Sequence, residues 1–86
     1  MPPEALSVYD VWTQIREPTE SDEYWVGEIW LTDQTNNDSH LFETIVDKDE
    51  SMFRHWFQHH INALTQCIAE EDSCDLWFCY ENTLSQ

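Results

Sequence analysis

The stretch from Ser51 to Glu70, SMFRHWFQHHINALTQCIAE, constrains the fold more than any other part of the chain. Phe53, Trp56, Phe57, His60, Ile61, Leu64, Cys67 and Ile68 recur at three- and four-residue intervals, which puts them on one stripe of a helix. Arg54, His55, Gln58, His59, Asn62, Thr65 and Gln66 fall on the other side. Such a helix needs an apolar layer to lie on. Ser51 is placed to cap its start, and Asp47, Asp49 and Glu50 stand just ahead of it, where the positive end of the helix dipole favours anions.

The rest of the chain supplies that layer as strands. Ser7 to Arg16 is rich in β-branched and aromatic residues, with Tyr9, Val11, Thr13 and Ile15 alternating against Val8, Asp10, Trp12 and Gln14. Glu17 to Glu23, with Pro18 and several acids, reads as a turn. Tyr24 to Thr32 is a second strand, with Trp25, Gly27, Ile29 and Leu31 on one face and Tyr24, Val26, Glu28, Trp30 and Thr32 on the other. Gly27, the single glycine of the chain, suits a point where the helix approaches closely. After the polar segment Asp33 to Ser39, His40 to Asp47 reads as a third strand, and beyond the helix Leu76 to Tyr80 reads as a short fourth. The expected architecture is α+β in two layers, with an antiparallel sheet of about four strands in the order β-β-β-α-β and one amphipathic helix on one face. Residues 1–86 form a single domain in this reading, with 1–6 and 82–86 loosely ordered.

Charge is what sets the chain apart. Eighteen Asp and Glu stand against three basic residues, Arg16, Lys48 and Arg54, for a formal net charge of −15. A small soluble domain needs an imbalance of only about 2–8 charges to stay dispersed, and self-repulsion at this density opposes folding. Direct binding to nucleic acid or to an anionic membrane is disfavoured, whereas a basic protein surface is attracted. With 41% apolar residues, including five Trp, four Phe and three Tyr, there is ample material for a folded core.

Following the chain direction places these charges. Glu17, Glu20, Asp22, Glu23, Asp47, Asp49 and Glu50 gather at one end of the sheet. Glu70, Glu71, Asp72 and Asp75 gather at the other, with Asp33 and Asp38. Carboxylates at fixed spacings imitate a phosphate backbone and compete for the Lys and Arg that hold it. The helix covers one sheet face only, so Trp12 and Trp30, on the opposite face from Ile15 and Ile29, form an uncovered aromatic contact surface whose simplest use is homodimerisation.

Other chemistries find little support. His55 and His59 are spaced i, i+4, but Trp56 stands where a HExxH motif has Glu and no third ligand is nearby, so no metal or other cofactor is expected. Asp33 to Asp38 lacks the glycine and terminal glutamate of an EF-hand loop. No nucleophile elbow or comparable signature is present, and the chain is not expected to be an enzyme. Cys67, Cys74 and Cys79 are odd in number without CxxC spacing, which points to buried thiols in a reducing, cytoplasmic setting. No signal peptide or apolar span is visible.

In size, acidity and lack of motifs the whole chain resembles the small phage-encoded inhibitors, anti-CRISPR proteins and other DNA mimics among them, which bind basic nucleic-acid channels of host defence complexes. The resemblance implies an acidic inhibitor or regulator that occupies the nucleic-acid-binding surface of a basic protein or complex. The alternative is a dimeric interaction module or assembly factor that recognises its partner through the aromatic sheet face.

Overall fold

A computed structural model describes residues 9–70 and 76–85. Three strands, β1 (Tyr9–Arg16), β2 (Trp25–Asp33) and β3 (Asp38–Asp47), precede two helices, α1 (Glu50–Glu70) and α2 (Leu76–Leu84). The strands form an antiparallel meander in the order β1-β2-β3. Ile29, Leu31 and Ile45 of the sheet meet Phe53, Phe57, Ala63 and Leu64 of α1 and Tyr80 of α2 in one buried cluster. The Cα body measures 53 × 30 × 15 Å, a slab with one helical layer on one sheet face.

Strand alternation explains which face is covered. Trp25, Gly27, Ile29 and Leu31 turn toward α1, and Gly27 is where the layers touch. A Cβ built there would lie 2.5 Å from Phe57 Cε1 and 2.8 Å from Phe53 Cζ, closer than carbon atoms can pack. The helix starts one residue earlier than Ser51. The Phe53 amide bonds to the Asp49 carbonyl at 2.9 Å, so Asp49, not Ser51, holds the capping position. On the expected stripe Trp56 is an exception: it sits on the flank, 42% exposed, while Ala63 is buried in the seam.

The expected fourth strand at Leu76 to Tyr80 is instead the first half of α2, so among the described residues the sheet has three strands and the helical layer two members. Burial along α2 has helical period: Leu76, Cys79, Tyr80, Thr83 and Leu84 are buried or half-buried, and Trp77, Phe78, Glu81 and Asn82 are exposed. Asn82 to Leu84, expected to be loosely ordered, therefore complete a helix.

A bulge in β3 makes room for α2. Ile29 pairs with Glu43 and Trp30 with Leu41, which leaves Phe42 as the extra residue. Phe42 packs edge-on against Trp77 and Tyr80, at centroid distances of 5.1 and 4.9 Å, and Glu43 accepts a 3.3 Å hydrogen bond from the Tyr80 hydroxyl. Two consecutive residues thus serve α2, which strict alternation forbids. Cys67 and Cys79 form a disulfide between the helices, correcting the expectation of separate buried thiols. Cys74 lies outside the described residues.

Candidate functional site

Two surfaces collect the residues singled out from sequence. The first is the end of the sheet where β1 turns into β2 and β3 into α1. Trp25 pairs with Asp47, so the two connections are neighbours, and Lys48 Nζ lies 4.0 Å from Glu23 across them. Glu17, Glu20, Asp22, Glu23, Asp47, Asp49 and Glu50 therefore share one end of the molecule, as the chain direction predicts.

Local hydrogen bonds hold these carboxylates on ordered turns. Thr19 and Asp22 exchange backbone bonds of 2.7 and 3.3 Å, and the Asp22 carboxylate accepts from the Tyr24 amide at 3.2 Å. The Asp47 carboxylate accepts from the Asp49 amide at 2.9 Å. Asx turns of this kind fix a loop without tertiary contacts. Beside them, Arg16, Glu17, Thr19, Ser21, Asp22, Tyr24 and Val26 line an open cleft of about 380 Å³.

All three basic residues of the chain lie at or next to this end. Arg54 bonds to Glu50 at 2.8 Å, Lys48 reaches Glu23, and Arg16 lies 3.9 Å from Glu28. Exposed pairs of this kind add little stability, but each offsets part of the local negative charge. At the opposite end Asp10, Asp33 and Asp38 meet through the pairs Tyr9 with Asp33 and Asp33 with Asp38, and Glu28, Glu23 and Glu50, the partners of Arg16, Lys48 and Arg54, lie elsewhere. The Thr35 hydroxyl and amide donate to Asp33 at 2.6 and 2.9 Å, and together with nearby His40 they hold its carboxyl below the usual range. Glu70 closes α1, while Glu71, Asp72 and Asp75 lie outside the described residues.

The second surface is the sheet face turned away from the helices. Trp12 and Trp30 are directly paired across β1 and β2 and stack at 5.1 Å with 13° between planes. Trp12 Nε1 donates to Thr32 Oγ1 at 2.9 Å and Trp30 Nε1 to Glu28 Oε1 at 3.1 Å, so both rings are fixed. Leu41, opposite Trp30 on β3, continues the row. No described element lies over it. Sequence alternation locates the two tryptophans; it does not reveal their partnering, which depends on register.

Three of the four histidines gather around Trp56, with His59 and His60 edge-on at 5.9 Å. Trp56 lies edge-on to both His55 and His59, at 5.1 and 5.8 Å, and His60 is half-buried with Nδ1 2.7 Å from the Trp56 carbonyl. Among the described residues no group of three or more His, Cys, Asp or Glu is placed to hold a metal, and no helix is long and apolar enough to cross a membrane. No family model, curated protein or solved structure matches the chain.

Proposed function

We propose that the protein is an acidic inhibitor or regulator that binds a basic nucleic-acid-handling protein and occupies the surface that otherwise holds a polyanion. The observation that carries this reading is the set of acidic residues on the 17–24 and 47–50 connections, brought side by side on ordered turns in which Asp22 and Asp47 bond to backbone amides. A backbone ordered in advance lowers the ordering cost at the moment of association. Among the described residues, Arg16, Lys48 and Arg54 engage Glu28, Glu23 and Glu50.

A competition experiment tests it. Nucleic-acid-binding proteins retained on the immobilised chain at low salt are titrated with duplex DNA or RNA, which is expected to displace them. Affinity should fall at least about tenfold between roughly 50 and 200 mM salt, because the contacts are charge-dominated. Reversing Glu20, Asp22 and Glu23 to lysine should abolish retention. Simultaneous occupancy of the partner by both ligands, or affinity indifferent to salt, sinks the proposal.

The fixed Trp12–Trp30 stack favours a second reading, an interaction module that recognises its partner by aromatic contact, with acidity serving solubility. Under that reading the triple reversal leaves binding intact, and Trp12→Ala removes it.

A further inference from the structure

Of the two sheet edges, β3 and β1 are built differently. The β3 edge is interrupted by its bulge at Phe42. Bulges, prolines, lysines and short lengths are the usual devices that stop a sheet edge from pairing with another chain. β1 has none of them: its eight residues, YDVWTQIR, pair with β2 in unbroken register from Tyr9 to Arg16. On its other side no described strand is present. Trp12 through Arg16 are exposed on both faces, including Ile15, 43% exposed on the face turned toward the helical layer.

Laid antiparallel against itself, β1 is self-complementary. Opposed residues in an antiparallel pair share a face, so the two-fold axis must pass through a residue and not between two. Centred on Thr13, the pairing sets Asp10 against the partner's Arg16 twice, Val11 against the partner's Ile15 twice and Trp12 against the partner's Gln14 twice. Every residue from Asp10 to Arg16 gains a neighbour. Centred on Trp12, the pairing leaves Arg16 outside and sets Asp10 against glutamine.

The geometry points to a symmetric homodimer in which two β1 strands pair about Thr13 and join the sheets into one of six strands. Among the described residues Asp10 accepts one 2.8 Å bond, from Gln34, and Arg16 has one 3.9 Å contact, with Glu28, so both are open to the exchange. The Trp12–Trp30–Leu41 rows of the two copies then lie on the same open face, the two Trp12 rings diagonal across the axis. Two chains of charge −15 repel, so this association tightens as salt rises. That is the reverse of the trend expected for a basic partner, and the two proposals can fail separately.

Sedimentation over a concentration series from about 1 µM to about 1 mM should show a monomer–dimer equilibrium, within the range a small interface supports. Asp10→Arg or Arg16→Asp alone should raise the dimer Kd about tenfold, because each creates two like-charge cross-strand pairs, and the double swap D10R/R16D should return it to within about threefold. With Cys74→Ser removing the third thiol, Thr13→Cys should be joined to its copy by a short thiol crosslinker, and Gln58→Cys on the exposed side of α1 should not. Circular dichroism of each variant reports that the fold is kept. A monomer at every concentration overturns the proposal, as does a dimer that ignores the charge swap and fails to crosslink through Thr13→Cys.

Discussion

At Gly27 the distance between layers is set by the missing side chain. Phe53 is fully buried and Phe57 nearly so, so neither ring can swing away from an added methyl group. Gly27→Ala should therefore cost about 1–3 kcal/mol in chemical denaturation, despite the better strand propensity of alanine. Tyr80 poses a different demand. Its hydroxyl is buried and donates to Glu43, and burial first, then the Glu43 charge, pushes its pKa well above the ordinary tyrosine value. A raised folded pKa means that the contribution is complete below the unfolded value near 10 and is lost as pH climbs from there toward the folded value. Stability measured by urea titration should fall through that alkaline window. Tyr80→Phe should flatten this dependence while costing about 1 kcal/mol at neutral pH for the lost hydrogen bond.

The elements differ in how plainly the chain announces them. β1, β2, β3 and α1 have alternation or helical period over eight or more residues, and the structure places them within two residues of the boundaries read from sequence. LWFCY has neither signal. Five consecutive apolar or aromatic residues fit a buried strand or a helix turn equally well, and the period emerges only when Thr83 and Leu84 are counted with them. What decides the matter is tertiary: the β3 bulge that offers Phe42 and Glu43 to Tyr80, and the disulfide from Cys67 to Cys79. Neither is visible in spacing, since bulges and disulfide partners depend on register and approach. The acidic loops were legible because chain direction alone brings them together; their turn geometry and the stacking of Trp12 on Trp30 were not. With 12 residues of sequence separation, the disulfide restricts the unfolded chain by about 3 kcal/mol in the loop-entropy account. The double variant C67A/C79A should lose roughly 2–3 kcal/mol, and amide exchange should accelerate first across Leu76–Leu84, whose remaining anchors are Tyr80 and its flanking contacts.

At the scale of the molecule, a charge of −15 is carried on a slab 15 Å thick and 53 Å long, so neighbouring carboxylates repel strongly while the two ends are screened from each other. Screening should relieve this repulsion, so the melting temperature should rise by several degrees between about 10 mM and about 0.3 M sodium chloride. A melting temperature indifferent to salt would mean that the charges are already spaced widely enough not to matter.

Arg16, Lys48 and Arg54 reduce the charge of the end where they lie without cancelling it. Seven carboxylates, Glu17, Glu20, Asp22, Glu23, Asp47, Asp49 and Glu50, stand against those three cations, and Asp10, Asp33 and Asp38 gather at the far end with His40 near Asp33. In the field of a large cationic body the molecule experiences a torque as well as a pull. With negative charge left at both ends of a 53 Å body, either end can make the first contact, and the long axis then turns to bring the other charges in.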